Sequence, residues 1–197
     1  MDALGPSLWR WTARHPDWVA NANPGSAADW PPEVGSVAFA GPDALVLIDP
    51  LVPDELWPKL DDLAERSARV HVLTTIGWHR RSRDAVVARY GAETSRAKPN
   101  LPAGVESFPI KRAGETMFFL PQHRALVPGD RILGDDSGGL RLCPESWLRY
   151  LSSGMSQGEL RDALRPLLEL PIDHVLVSHG EPVLEGGRSA LRRALEA

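Results

Sequence analysis

The sequence predicts an α/β fold in which two β-sheets pack face to face between outer layers of helices. Each half of the chain begins with a hairpin-like pair of apolar runs, and strand-like and helical segments then alternate. Hydrophobic residues make up 43% of the 197 residues and charged residues 24%, as in an ordinary globular protein. A chain of this length can bury one substantial core, so we expect a single domain over residues 1–197.

The first half of the chain predicts a tryptophan-rich arm followed by a hairpin and two strand–helix units. Four tryptophans lie among Pro, Asn and Gly in residues 1–30, an irregular arm that either covers a sheet edge or walls a hydrophobic pocket. Apolar residues repeat at a helical period after Pro53, and Gly91 is a usual helix C-cap. The predicted elements are an edge strand at 8–12, hairpin strands at 34–40 and 44–48, a helix at 53–67, a strand at 70–74 and a helix at 82–90.

The rest of the chain repeats the order of hairpin, helix and strand. A turn at 121–124 separates two apolar runs, which is the pattern of a second hairpin. The predicted elements are short strands at 93–95 and 105–110, hairpin strands at 116–120 and 125–127, helices at 145–151 and 157–168, a strand at 174–178 and a helix at 188–196.

The charge and cysteine content exclude several classes of function. A formal net charge of -4 argues against a nucleic-acid or anionic-membrane surface as the main partner, so we expect a small-molecule substrate. No apolar run approaches the roughly 18 residues that span a bilayer, and residues 1–5 lack the features of a secretory signal, which predicts a cytoplasmic protein. The single cysteine, Cys143, excludes an intramolecular disulfide and a cysteine-rich zinc module, and nothing in the sequence specifies an oligomeric state.

Three residues with metal-ligand chemistry each follow a predicted strand. They are His79, Asp130 and His179, after the strands at 70–74, 125–127 and 174–178. Because α/β folds assemble active sites where strands end, we expect these side chains to meet. Taken singly, the aspartate and the last histidine are equally well explained as turn residues that hydrogen-bond the backbone. Together, two imidazoles and one carboxylate suffice for one Zn²⁺ with an open position, or for Fe²⁺.

The order and spacing of these residues resemble the metallo-β-lactamase fold superfamily from about Val34 to the C-terminus. Residues 120–126 resemble the hairpin that precedes the family's Gly-Asp pair, in which the aspartate bridges two metals. Residues 178–180 resemble its late Gly-His motif, which supplies another metal ligand. The resemblance therefore implies an αββα four-layer sandwich and a metal-dependent hydrolase, with Asp130 and His179 as ligands.

The family's first metal motif, His-x-His-x-Asp-His, is largely missing from this chain. The register that keeps the next helix at the usual distance lays the motif on Thr74, Ile76, Trp78 and His79. A shift of one residue lays it instead on Thr75, Gly77, His79 and Arg80. Either register removes both early histidines. We therefore expect at most one ion, Zn²⁺ or Fe²⁺, bound by His79, Asp130 and His179, and a metal-free site is the alternative.

Four further residues are candidates for the same site. Glu115 stands where the family has the histidine of a Gly-His-Thr turn, and it is a proton shuttle, a fourth ligand or a solvated turn residue. Trp78 is expected to line the site because it precedes His79. Arg80 and Arg81 either bind an anionic group of the substrate or form a solvated helix start, where their positive charge opposes the helix dipole.

The remaining polar residues have ordinary interpretations. Glu181 either orients His179 or lies on the surface, and Cys143 is best explained as a small buried thiol. His71 and His174 lie in predicted strands and are predicted to be packing residues. His15 and His123 lie in polar turns and have no identifiable partner.

Within the superfamily the chain looks most like a divergent, actinobacterial-type branch with a degenerate first motif and no defined substrate. The segments that carry this likeness are 9–12, 47–50, 78–79, 141–147 and 177–182. The resemblance implies a hydrolase in which metal-activated water attacks an ester, thioester or lactone carbonyl. A β-lactam is not favoured, because the first-metal ligands are absent. The alternatives are a metal-free protein that binds a ligand or a partner, and a cyclase or lyase.

Overall fold

The computed structural model describes residues 1–20, 22, 23, 26, 28–96 and 100–197. The first sheet has six strands, β1 Asp2–Gly5, β2 Leu8–Arg14, β3 Glu33–Ala40, β4 Leu45–Ile48, β5 Val70–Leu73 and β6 Glu93–Ser95. They lie in the sheet in chain order. Strands β1 to β4 are antiparallel to one another in sequence, and β5 and β6 continue the sheet parallel to β4.

The second sheet has four strands in the order β12-β9-β8-β7. These are β7 Glu106–Ile110, β8 Glu115–Leu120, β9 Ala125–Val127 and β12 His174–Val175. A separate two-stranded hairpin consists of β10 Ile132–Gly134 and β11 Leu140–Leu142. The five α-helices in the described residues are α1 Trp57–Glu65, α2 Arg83–Tyr90, α3 Glu145–Leu148, α4 Gln157–Leu164 and α5 Gly187–Glu196. None of the helices in these ranges is long and apolar enough to cross a membrane.

Alternating side chains of the two main sheets build the central core. In β4, Val46 and Ile48 face the second sheet, and in β8, Phe118 and Leu120 face back toward them. All four are at most 1% exposed. The period of two along a strand places every second residue on the same face, so each sheet contributes one apolar surface to this interior.

The other face of each sheet is covered by helices. Leu45 and Leu47 of β4 pack in one cluster with Leu60 of α1 and Val86 of α2. On the far side, the outer face of β8 packs in a second cluster with α4, α5 and the β10–β11 hairpin. Helices, sheet, sheet and helices therefore form four layers, which confirms the predicted αββα sandwich.

Most predicted elements are present, and the differences have local causes. The strand predicted at 8–12 is not an edge strand, because β1 pairs outside it as β2 runs to Arg14. The β10–β11 hairpin was not predicted, since strands of three residues are too short to show an alternating pattern. The strand predicted at 174–178 ends at Val175, and the helix predicted at 145–151 ends at Leu148.

Candidate metal centre

The three residues that follow strands converge on one point at the edge of the sandwich. Atom His79 Nε2 lies 2.9 Å from Asp130 Oδ1, and His179 Nε2 lies 3.4 Å from the same oxygen. One possible ligand atom from each of the three residues lies within 4.8 Å of the others. All three side chains are buried. The expected meeting of these strand ends is therefore confirmed.

Asp130 presents one carboxylate oxygen to each side of the site. Its Oδ2 accepts a hydrogen bond of 2.8 Å from the indole Nε1–H of Trp78. Its Oδ1 is buried and has no hydrogen bond of acceptable geometry among the described residues, although two imidazole nitrogens are near. A buried carboxylate oxygen without a partner is costly, and a cation between the three groups would satisfy it. These residues therefore fit a metal ion.

Asp49 orients His79 from behind, and the sequence analysis did not assign it to the site. Its Oδ2 lies 2.8 Å from His79 Nδ1, and its Oδ1 accepts the backbone N–H of Thr75 at 2.8 Å. The Thr75 hydroxyl also donates to Asp49 Oδ2. With Nδ1–H donated to this carboxylate, Nε2 is left as the unprotonated ligand atom. Only the sheet topology indicates this role: Asp49 follows β4, and the end of β4 lies beside the end of its parallel neighbour β5.

Glu115 holds the backbone on either side of Asp130. Its Oε1 accepts the N–H of Gly129 at 2.9 Å, and its Oε2 accepts the N–H groups of Asp130 at 2.9 Å and Arg131 at 3.0 Å. It is 2% exposed, so its interpretation as a solvated turn residue is wrong. It also lies outside the converging group and does not line the cavity beside it. The geometry thus gives it a positioning role for Asp130 instead of the expected roles of ligand or shuttle.

Two glycines fix the backbone at His179. Gly180 has a φ of 82°, and a Cβ there would lie 2.6 Å from the carbonyl oxygen of Gly134. The N–H of Gly134 donates to the carbonyl oxygen of His179 at 2.9 Å. The imidazole of His179 then packs edge-on against Trp30 and Trp147, with ring centroids 5.5 Å and 5.7 Å away. Only glycine allows this close approach of the two loops.

The charges of the site shift the pKa values of its members in opposite directions. Burial alone would lower the pKa of His79, but the carboxylates of Asp130 and Asp49 outweigh it and raise that pKa to about 9. Burial opposes ionisation of Asp130, yet the two imidazoles hold its pKa well below the usual value. Burial lowers the pKa of His179. Without a metal, a proton on His79 therefore provides the positive charge between the two aspartates.

The two arginines predicted to bind substrate have different positions. Arg80 forms an exposed ion pair of 2.9 Å with Asp84 and does not line the cavity, and substrate binding by it stays a prediction. Arg81 does line the cavity, but its guanidinium donates to the carbonyl oxygens of Gly35 and Asp49 and to Ser178 Oγ. These bonds join β3, the residue after β4 and the loop of His179, and they occupy both terminal nitrogens of the guanidinium, whereas its buried Nε has no hydrogen-bond partner among the described residues.

A cavity of about 390 Å³ opens beside the converging residues. Its walls are largely aromatic and its floor is the buried polar group. The lining residues are His15, Asp17, Trp30, Val34, Trp78, His79, Arg81, Asp130, Arg131, Trp147, Tyr150 and His179. Both Trp78 and Trp30 are among them, so Trp78 lies where it was expected and the amino-terminal arm contributes a wall. Trp11 of the same arm lies in the interior strand β2, is buried in the cluster that packs against α1, and donates its Nε1–H to the Leu51 carbonyl oxygen.

No family model and no curated protein matches the sequence. Solved structures do match the fold of this chain. VMB-1 superposes with a TM-score of 0.67 at 12% identity, over 99% of this chain and 94% of its own. A metallo-β-lactamase from Hirschia baltica gives 0.66 at 16% identity, over 99% and 95%. The metallo-β-lactamase FIM-1 from Pseudomonas aeruginosa, in its mono-zinc form, gives 0.64 at 12% identity, over 98% and 93%. This chain has the metallo-β-lactamase fold.

The other polar residues considered in the sequence analysis lie outside the group formed by His79, Asp130 and His179. Glu181 is exposed, which fits the surface interpretation. Cys143 is 1% exposed, and burial raises the pKa of its thiol to about 11, so it is the small buried thiol that was expected. His71 is buried and hydrogen-bonds Ser95 Oγ at 2.7 Å.

The sequence identifies no partner for His15 or His123, but both have partners in the structure. His123 Nε2 lies 2.9 Å from Ser7 Oγ, which joins the second hairpin to the turn after β1. His15 accepts the backbone N–H of Asp17 at Nδ1 and packs edge-on against Trp30, with centroids 5.2 Å apart. All three partners lie in the first 30 residues, where the sequence pattern is irregular. Nothing in the pattern could therefore have paired them.

Proposed function

We propose that this chain is a hydrolase that uses one divalent metal ion held by His79, Asp130 and His179. The proposal depends on one observation, the buried Asp130 Oδ1 that faces two imidazole nitrogens without a hydrogen bond of acceptable geometry. Gly129-Asp130 and Ser178-His179-Gly180 support it, because they resemble the Gly-Asp pair and the late Gly-His motif of the metallo-β-lactamase superfamily. A zinc ion bound there would act as a Lewis acid and would make water a nucleophile at neutral pH, and Fe²⁺ is the alternative ion.

The protein's own residues prepare this site for catalysis. Asp49 fixes the orientation of the His79 ring, Glu115 fixes the loop of Asp130, and Trp78 holds the second oxygen of Asp130. Three protein ligands leave a further position open, as catalytic zinc sites do. Partners that orient metal ligands in this way usually matter nearly as much as the ligands themselves.

The walls of the cavity indicate a largely apolar substrate. Trp30, Trp78, Trp147 and Tyr150 supply flat apolar surfaces, and Tyr150 and Trp78 are 75% and 58% exposed at the opening. The two terminal nitrogens of Arg81 donate to protein acceptors, so they are not free to pair with a substrate anion. We therefore infer an ester, thioester or lactone with an aromatic or aliphatic group. β-Lactams stay outside the proposal, because the chain lacks the early histidines of the first metal motif.

The first test is the metal content of the freshly purified, untagged protein, measured by plasma mass spectrometry. We expect close to one equivalent of zinc or iron per chain, lost in Asp130→Ala. Asp136→Ala is the matched control, because Asp136 is exposed in the turn between β10 and β11. The metal-loaded protein should also hydrolyse 4-nitrophenyl butyrate faster than the corresponding ester with a free carboxylate. Absence of metal after incubation with zinc, together with hydrolysis that survives chelation, would reject the proposal.

A metal-free binding protein is the second candidate, and one observation favours it. Protonated His79 lies between the carboxylates of Asp49 and Asp130, at 2.8 Å and 2.9 Å, so its positive charge can offset theirs without an ion. In that case the aromatic cavity would still bind an apolar ligand. Its affinity for such a ligand would be the same before and after chelation, whereas the hydrolase would lose activity on chelation and in His179→Ala.

A further inference from the structure

We propose that His15 binds the substrate of this site, donating a hydrogen bond from Nε2–H to a carbonyl or ester oxygen in the cavity. The inference rests on the proposed function for the class of substrate, and it assigns a role to a residue of the amino-terminal arm. His15 lines the same cavity as His79, Asp130 and His179, but it is not one of the converging residues.

The backbone around His15 is held by hydrogen bonds on both sides. Its N–H donates to the Pro32 carbonyl oxygen at 2.8 Å, and its carbonyl oxygen accepts the N–H of Trp18 at 3.2 Å. The indole of Trp18 in turn donates to the carbonyl oxygen of Trp30 at 2.8 Å. This segment follows directly after β2, so it is anchored to the sheet as well.

The hydrogen bond to Asp17 determines which ring nitrogen of His15 carries the proton. The backbone N–H of Asp17 donates to Nδ1 at 3.2 Å, and a nitrogen that accepts cannot itself be protonated. Burial and the nearby Arg81 charge lower the pKa of His15, which keeps the ring neutral at neutral pH. The proton is therefore on Nε2, and no acceptor for it is found among the residues that the structure describes.

The aromatic contacts set His15 beside the metal-site residues. Its ring packs edge-on against Trp30 at 5.2 Å, and Trp30 packs edge-on against His179 at 5.5 Å. An N–H donor beside aromatic walls favours a substrate with an acceptor oxygen next to an apolar group. A carbonyl or ester oxygen has that chemistry, and an ammonium or a second N–H donor would leave Nε2–H unpaired.

Binding of a slowly reacting probe tests this contact separately from catalysis. The probe is N-(4-nitrophenyl)butyramide, which has the acyl group of the ester substrate and an anilide bond that resists hydrolysis. Its dissociation constant is measured by titration calorimetry for the wild type, His15→Gln, His15→Phe and His123→Gln. Glutamine can place an amide N–H near the position of Nε2, whereas phenylalanine keeps the ring without the donor. His123 is the matched control, because it is a half-buried histidine outside the cavity.

We expect His15→Phe to weaken binding at least fivefold, and His15→Gln and His123→Gln to stay within twofold of the wild type. The Nε2–H signal of His15 in a long-range ¹H–¹⁵N spectrum should also shift when the probe is added to the wild type. Equal affinities for all four proteins, equal losses in Gln and Phe, or no binding by the wild type would each overturn the proposal. Unfolding midpoints of the variants show that each one is folded.

Hydrolysis of 4-nitrophenyl butyrate by the zinc-loaded wild type is measured in parallel. It reports on the proposed function alone. If the anilide affinities follow the expected order and no ester is turned over, the contact of His15 is supported and the hydrolase is rejected. If ester is turned over and the anilide affinities do not depend on His15, the hydrolase is supported and the contact is rejected.

Discussion

Asp49 and Glu115 are buried carboxylates that hold the converging residues from outside the group. Asp49 contacts an imidazole, and Glu115 contacts three backbone N–H groups. Asp49 thereby orients His79, and Glu115 orients Asp130, toward the point where the three residues converge. At the scale of single residues, the properties of the site therefore depend on side chains that a search for ligands alone would pass over.

Asp49→Asn is expected to weaken zinc binding 10- to 100-fold, in line with the usual effect of replacing a group that orients a metal ligand. The amide keeps the shape of the carboxylate and can still accept the Thr75 N–H. Its NH₂ group then donates to His79 Nδ1, which moves the ring proton to Nε2 and blocks the ligand atom. The measurement is competition with a chelator of known affinity. Asp84→Asn is the control, since Asp84 pairs with Arg80 on the surface, and an equal loss in both variants would contradict the expectation.

The Cys143 thiol is expected to resist alkylation in the folded protein. Burial raises its pKa to about 11, so it stays protonated at pH 8. The unfolded thiol ionises near pH 8.5, so folding stability should decline as the pH rises between these two values. Labelling by iodoacetamide at pH 8, followed by mass spectrometry, should be slow in buffer and fast in denaturant. Cys143→Ser gives the background, and rapid labelling of the native protein would contradict the expected burial.

At the scale of elements, the β10–β11 hairpin acts as a support for the loop of His179. Its strand β10 ends at Gly134, which contacts the backbone of Gly180. The contact requires that both Gly134 and Gly180 lack a Cβ. Gly180 directly follows His179, a proposed metal ligand. The hairpin therefore links the apolar packing of the second sheet to the geometry of the site.

Gly180→Ala is expected to destabilise the fold by about 2–4 kcal/mol, because it adds steric overlap to a strained backbone conformation. Gly91→Ala is the matched control: Gly91 also has a positive φ, but a Cβ there would meet nothing within 4 Å. Its cost should be about 1 kcal/mol. Urea unfolding of both variants measures the difference. Equal costs would mean that the approach of Gly134 to Gly180 is not a tight one.

The sequence was sufficient to predict the elements that are long or bounded by clear turns. The first hairpin, the helix that ends at Gly91 and the hairpin before Asp130 follow directly from apolar period and turn residues. The short strands of β10 and β11 could not be predicted, because three residues define no period. The role of Asp49 depends on the parallel pairing of β4 with β5, which local pattern does not specify.

At the scale of the whole molecule, the amino-terminal arm serves the second of the two uses considered for it. Trp30 walls the cavity, whereas Trp11 belongs to an interior strand and packs in the core under α1. The arm is also joined to the far end of the chain. Arg10 donates to the carbonyl oxygens of Val177 and Gly180, and the N–H of Gly35 donates to the Ser178 carbonyl oxygen. The site therefore depends on contacts between the two ends of the sequence.

Zinc is expected to stabilise the whole fold, because it binds residues that come together only in the folded chain. At 100 times its dissociation constant, an ion that binds only the native state adds about 2.7 kcal/mol to the free energy of unfolding. Chemical unfolding with and without zinc should show this difference in the wild type. Asp130→Ala should show none of it, whereas the Asp136→Ala control should respond as the wild type does. An equal response in Asp130→Ala would place the ion elsewhere.

The joining of the two ends at the site has a consequence for how the protein is made. Residues 10 and 35 leave the ribosome well before His179 and the loop around it. Contacts that are so distant in sequence form late in folding, since long loops must close before they gain any interaction. The nascent chain therefore holds most of the first sheet before it holds a complete ligand set. If the chain binds the proposed ion, the complete site would form only after β12 has docked beside β9.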